Sequence, residues 1–195
     1  MPVFPLFYAG NIAYYRALVQ ADEVCFEQHE FFPKQTYRNR IEVIGPNGLQ
    51  KLVIPTIKTG ERRSMQDVKI SYAENWQKDH WKSLEAAYRR SPYFEFYEAY
   101  LYPYFKHQKI TSLWAFNLGL FETINDLIQL EIKYSITSSY QDEVEHDLRS
   151  AGFQSGGATE RYIQVFQDRH PFYPNLSILD ALFNLGPQTK ALLIK

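Results

Sequence analysis

The chain has 195 residues, 45% of them hydrophobic and 16% aromatic; that is enough apolar material for a sizeable core and too much for a disordered chain, so a single domain over 1–195 is expected. Lysine and arginine number 21 against 22 aspartate and glutamate, a net charge of −1, which removes any bulk electrostatic reason to bind nucleic acid or an anionic membrane. Cys25 is the sole cysteine, which excludes an intrachain disulfide and fits a reducing, cytoplasmic compartment.

The opening Met1 to Tyr8 is apolar, but it lacks a basic leader and a small-residue cleavage pattern and is read as no signal peptide. Val3 to Phe7 reads as a short buried strand. Gly10-Asn11 then opens a helix from about Ile12 to Gln20, on which Ile12, Tyr15 and Val19 recur at helical spacing. Val24, Cys25 and Phe26 look like a second buried strand, so strand, helix and strand begin an α/β layered unit. From Tyr37 to Thr56 the apolar residues Ile41, Val43, Leu52 and Ile54 alternate around Gly45-Pro46-Asn47-Gly48, an Asn-Gly hairpin signal. Lys58 to Ser64 is polar and basic and predicts an exposed loop before a short strand at Val68 to Ile70.

The chain then turns helical. Trp76, His80, Trp81, Leu84, Ala87 and Tyr88 share a face at 3.6-residue spacing from about Asn75, and Ser91-Pro92 ends that helix. A second helix is predicted over Tyr93 to Leu101, closed by Pro103, and a third over Thr111 to Leu130. Within the last, Ser112 to Ile128 is broken by Asn117, Glu122, Asn125 and Asp126, short of the ~20 apolar residues a spanning helix needs, so no membrane span is expected. Ile132 to Thr137 predicts a strand, Gln141 to Ser150 a polar helix, and Gly152, Gly156 and Gly157 a loop. A strand at Tyr162 to Phe166 and a helix from Ser177, its N-cap, to Leu185 complete the pattern, with Gly186-Pro187 as the stop. The expected fold is α/β: a mixed β-sheet with a β-hairpin, packed by helices.

No phosphate loop, nucleophile elbow, His-Glu-x-x-His or cysteine pair is present. The spacing of Glu27, His29, Glu30 and His80 matches no recognised ligand set, so neither metal nor cofactor is expected. The densest constellation is Lys34-Gln35-Thr36-Tyr37-Arg38-Asn39-Arg40, whose cations and amides suit a carboxylate or phosphate. In an extended chain Lys34, Thr36, Arg38 and Arg40 share one face, with Gln35, Tyr37 and Asn39 on the other. Such a strand is equally a solvated edge whose charges prevent aggregation. The adjacent Glu27-Gln28-His29-Glu30 orients the basic segment through ion pairs, or supplies a general base from His29 or Glu30. His80 is either a second base or an imidazole buried under Trp76 and Trp81. Asp180 and Asn184 fall one helical turn apart, where they converge on a ligand or cap neighbouring backbone.

The basic string, Trp76 with His80-Trp81, Tyr88 with Ser91-Pro92-Tyr93-Phe94, and Leu176-Ser177-Ile178-Leu179-Asp180-Ala181-Leu182-Phe183-Asn184-Leu185-Gly186 together resemble the WbqC-like protein family over nearly the whole chain. The resemblance implies a bacterial protein of O-antigen, or lipopolysaccharide, assembly: a sugar-modifying transferase of glycine or a similar acyl group, acting on a nucleotide-sugar or an activated acyl donor. On that reading Lys34, Arg38 and Arg40 hold the anion and His29, His80 or Glu30 removes a proton from the acceptor. Gln35, Tyr37, Asn39, Trp81, Tyr88, Asp180 and Asn184 complete the substrate-binding candidates. The alternative is a non-catalytic protein that recognises a phosphorylated sugar or an assembly partner through aromatics such as Tyr93, Phe94, Tyr97, Tyr100 and Tyr102. Two departures from the family pattern stand out. Phe4-Pro5-Leu6-Phe7-Tyr8-Ala9-Gly10 occupies the place of a His-Gln-Pro type opening, and the stretch from about Ile136 to Arg161 is shortened.

Overall fold

The computed structural model of the chain describes residues 1–33, 35–106, 109–153 and 160–194. Lys34 and the glycines Gly156 and Gly157 therefore lie outside the described residues. The first strand, β1 (Val3–Phe4), is shorter than expected, and the chain passes from it into α1 (Ile12–Val19). The α1 N-terminus is closed by Asn11, whose side-chain oxygen accepts the Tyr14 amide at 2.9 Å and so satisfies one of the amides a helix start leaves free. Next, β2 (Val24–Phe26) runs parallel to β1, Val3 opposite Cys25. The antiparallel hairpin β3 (Arg40–Gly45) and β4 (Gly48–Val53) forms its own two-stranded sheet. In its turn only Gly48, at φ +106°, takes a positive φ. Pro46 fits the position after Gly45 because its ring fixes φ near −65°.

The helices follow. They are α2 (Trp76–Tyr88), α3 (Phe94–Lys106) and α4 (Leu113–Ile128). The last strand, β5 (Tyr134–Ile136), adds to the parallel sheet in the order β1-β2-β5, with Phe26 opposite Ile136. The C-terminal pair is α5 (Ile178–Leu185) and α6 (Thr189–Ile194), and Ser177 caps α5 by accepting the Leu179 amide. A continuous core joins the parallel sheet, the inner face of the hairpin and the helices. Its largest fully buried side chains include Tyr8, Tyr14, Tyr15, Tyr88, Phe26, Phe94, Phe116 and Phe183.

The α/β class and the hairpin are as the sequence predicts, and several local readings are corrected. Pro103 lies inside α3. Buried Leu101 and Phe105 lie on either side of it, and their packing outweighs the lost backbone hydrogen bond. Val68 to Ile70 is no strand: a single 3₁₀ turn at Met65–Asp67 precedes two isolated bridges, Thr56 with Ile70 and Lys69 with Ser112. Gln141 to Ser150 is not helical, because its backbone satisfies the free edge of β1: Val3 N donates to His146 O and Leu148 N to Val3 O. Tyr162 to Phe166 is irregular, with the Gln164 side chain bonding both the amide and the carbonyl of Tyr173. Gly186-Pro187 ends α5, yet the chain continues through a 3₁₀ turn into α6.

Candidate functional site

Glu27 follows the last residue of β2, at the carboxyl edge of the parallel sheet. Its Oε1 accepts the Thr137 hydroxyl at 2.7 Å and the His29 amide at 2.8 Å, and its Oε2 accepts the Gln141 amide at 3.2 Å. That carboxylate pins the chain leaving β2 to the chain leaving β5. Three residues later Glu30 grips Arg38 in a bidentate pair, Arg38 Nε to Oε1 at 2.7 Å and Nη2 to Oε2 at 2.6 Å. Arg38 Nη2 also donates to the Arg149 carbonyl at 2.9 Å. Arg149 in turn forks onto Asp147 with two bonds of 2.8 Å and leaves Nη1 buried, 3.5 Å from Glu27. The Glu27-Gln28-His29-Glu30 string thus orients the basic segment by ion pairing, one of the two roles its charges suggest.

Glu30, Arg38, Asp147 and Arg149 line a cavity of about 490 Å³ together with Phe7, Arg40 and Tyr140, among others. Gln35, Thr36 and Tyr37 line it too, because residues 35–39 turn instead of running extended and Gln35 sits at φ +61°. Arg38 is 3% exposed, and Nη1 is the one guanidinium nitrogen of Arg38 that makes no hydrogen bond among the described residues. Arg40 differs: it pairs with no carboxylate among the described residues, its Nε is buried without a partner, and its guanidinium lies 5.8 Å from the Tyr37 ring centroid. Tyr37 is held in place by a 3.3 Å bond from its hydroxyl to Glu42. Burial pushes the Glu30 carboxyl above its usual range while the Arg38 bonds oppose the rise. The Arg149 bonds hold Asp147 below the usual carboxylate range. The cavity is therefore a polar niche in which two arginines, Arg38 and Arg149, are held by carboxylates, and the third, Arg40, has no carboxylate partner among the described residues.

Asn39 turns the other way. Its Nδ2 donates to Ile54 O at 2.9 Å, and the side chain borders a separate cavity of about 700 Å³ that also contains Lys58, Arg62 and Arg63.

The remaining candidates stand elsewhere. His29 bridges Thr137 O and the Gln66 side chain and does not line the arginine cavity. His80 is 5% exposed, bonds Tyr8 through Nδ1 at 3.0 Å, and stacks on that ring. Burial lowers its pKa to about 4, so it is neutral near pH 7. Trp81 packs on Tyr102 and Phe105 at the base of a groove between α2 and α3. Asp180 is fully buried, takes bonds from the Tyr162 hydroxyl at 2.5 Å and from Gln164 at 2.9 Å, and has its pKa raised by burial to about 6. The Tyr88 hydroxyl belongs to this Asp180 cluster, although it completes no hydrogen bond of good geometry among the described residues. Asn184 bonds the Asp180 carbonyl at 2.8 Å, the backbone-capping role, and borders a surface pocket beside Tyr93 and Tyr162. Of the aromatic group, Phe94 is wholly buried and Tyr100 is 59% exposed.

Sequence reasoning missed Arg149, Asp147, Tyr140 and Phe7. Phe7 carries the Arg38 guanidinium at 5.7 Å and Tyr140 carries that of Arg149 at 4.7 Å. The available signal is Asp147-x-Arg149: a carboxylate and a guanidinium two residues apart share one side of an extended chain, whereas the sequence reading places them on a polar helix. Among the described residues no three His, Cys, Asp or Glu side chains are grouped to hold a metal ion. No helix of the described residues is long and apolar enough to cross a membrane.

The model of the WbqC-like protein family matches residues 8–167, a span that holds most of the arginine cavity. The chain is also similar to an uncharacterized protein, Rv1507c, of Mycobacterium tuberculosis: 22% identical, covering 90% of this chain and 89% of that one. No solved structure matches.

Proposed function

The chain belongs to the WbqC-like protein family, and on that premise we propose that the arginine cavity binds the anionic part of a nucleotide-sugar or activated acyl donor during acyl or aminoacyl transfer to a sugar. The setting is bacterial surface-polysaccharide assembly, the context the family resemblance implies. The observation that carries the reading is Arg40. Its guanidinium is seated on Tyr37 in a cavity of about 490 Å³ without a carboxylate partner among the described residues, beside the uncommitted Nη1 of Arg38. Two guanidinium edges with donors to spare suit the oxygens of a phosphate or carboxylate. Arg38, locked to Glu30, preorganises the niche; Arg40 is the group that gains an ionic partner on binding. In the transfer itself the acyl carbon forms its new bond to a sugar amine or hydroxyl, which loses a proton as the donor's leaving group departs.

A specific observation favours non-catalytic recognition as the second reading. Neither His29 nor His80 lines this cavity, and both Glu30 oxygens are engaged by Arg38, so no uncommitted general base borders it among those candidates. Incubating the protein with nucleotide-sugars and activated acyl donors, and following products by mass spectrometry, separates the two. Transfer predicts a product mass that vanishes in Arg40→Ala. Recognition predicts binding that is lost in Arg40→Ala with every ligand chemically unchanged.

A further inference from the structure

Residues 31–33 and 38–40 form two short walls that present successive side chains to opposite sides. Phe31 lines the arginine cavity, and Phe32 the cavity of about 700 Å³. Arg38 and Arg40 line the first, and Asn39 the second. Gln35, in its left-handed conformation, borders both. The far side of the second cavity is the loop 58–63, anchored to the wall where Phe32 N donates to Arg63 O at 2.9 Å and Phe31 bridges to Ser64. That loop brings Lys58, Arg62 and Arg63 together against Glu61 alone. None of the three cations makes an ion pair among the described residues, although the lysines and arginines elsewhere include several held by carboxylates. Arg62 lies 5.9 Å from the ring centroid of Phe31, between the two cavities. In the same lining, Asn39 Nδ2 donates to Ile54 O, while its Oδ1 is buried with no hydrogen-bond partner among the described residues. A buried acceptor without a donor is a costly arrangement that a ligand hydroxyl relieves.

We propose that the cavity enclosed by Asn39, Lys58, Arg62 and Arg63 is a second small-molecule site, for a phosphorylated sugar. The loop cations take the phosphate and the floor beside Asn39 takes the sugar's hydroxyl donors. The shared wall of residues 31–33 and 38–40 separates this ligand from the one in the arginine cavity, with Gln35 bordering both. This deepens the reading of the arginine cavity and rests on it for the identity of the neighbouring ligand, but the site itself is defined by its own residues. The charge balance supports the assignment: three cations and one carboxylate line this cavity, whereas Glu30 and Asp147 face Arg38, Arg40 and Arg149 in the other.

The test is calorimetric titration of the full chain with glucose 1-phosphate, with inorganic phosphate as the comparison ligand. The double variant Arg62→Ala/Arg63→Ala removes exposed or half-exposed loop cations and leaves the core untouched. Glucose 1-phosphate is expected to bind the wild type more tightly than inorganic phosphate, to lose about tenfold or more in the double variant, as charged hydrogen-bond partners do, and to be unaffected within about twofold by Arg40→Ala. Equal loss in Arg40→Ala and the double variant means a single anion site and overturns the second one while sparing the first. Retention of affinity in the double variant, or no preference for the sugar phosphate over phosphate, also overturns it. If Arg40→Ala changes the binding of no nucleotide-sugar or acyl donor, the reading of the arginine cavity fails independently of this one.

Discussion

Arg38 and Glu30 were readable as a polar pair and their burial was not. Each is under one-tenth exposed, and removing either partner leaves the other charge stranded away from water. Arg38→Ala and Glu30→Ala are each expected to cost about 3–5 kcal/mol in a urea unfolding curve, whereas Arg40→Ala, with no ion pair among the described residues to break, stays within about 1 kcal/mol of the wild type. That contrast makes Arg40 the informative residue for binding. Asp180 shows a different consequence of burial. Its carboxyl is raised from the usual 3.8 to about 6, so between those pH values the native state holds a proton that the unfolded chain releases. The stabilisation is fully present below pH 3.8 and is lost as pH rises through 6. Asp180→Asn, which keeps an acceptor for Tyr162 and Gln164, is expected to outlast the wild type by ~3 kcal/mol above pH 6 and to converge on it near pH 4. Measuring both proteins cancels His80, whose lowered pKa works in the opposite direction, losing stability as pH falls through 6.5 toward 4. None of this was visible at Asp180 from the sequence, because a helical Asp–Asn pair looks alike on a surface and in a core.

At the level of elements, periodicity carried most of the fold. Trp76 to Tyr88, Leu113 to Ile128 and Ile178 to Leu185 emerge close to their predicted bounds because each has a broad apolar face and, for the last two, a serine cap. The hairpin came from alternation and turn chemistry. Gly48→Ala tests it: the added methyl group meets only His170, at 3.9 Å, so the cost is the backbone conformation at φ +106° alone. A loss of about 1–2 kcal/mol in thermal or urea unfolding is expected, and a neutral substitution contradicts the turn. Where local rules failed, tertiary partners had decided. Pro103 stays in α3 because the residues around it are buried. The segment 146–148 abandons helix because β1 offers it an unpaired edge, which no pattern within 141–150 reveals. The basic string departed from an extended strand at Gln35, where a non-glycine residue takes a positive φ that sequence gives little reason to expect.

Across the molecule, the arginine cavity draws on the chain after β1, the loops around Glu30 and Arg38, the start of β3 and the segment 147–152. Half of it was legible: Glu30, Gln35, Tyr37, Arg38 and Arg40 come together as their clustering in sequence suggests. The other half, Phe7, Tyr140, Asp147 and Arg149, is contributed by segments more than 20 positions away in the chain from that cluster, and only the folded backbone joins them. His29, His80, Trp81, Tyr88, Asp180 and Asn184 were drawn from the same residue types but serve the core, the loop after β2 or other surfaces. The central claim is that the Arg40 guanidinium, which has no carboxylate partner among the described residues, receives an anionic ligand. The most direct measurement is the affinity of a nucleotide-sugar for wild type and Arg40→Ala at two ionic strengths. The account predicts an affinity roughly tenfold lower in Arg40→Ala at low salt, with a shallower salt dependence because one ionic contact is gone; equal affinities and equal salt slopes in the two proteins would contradict it.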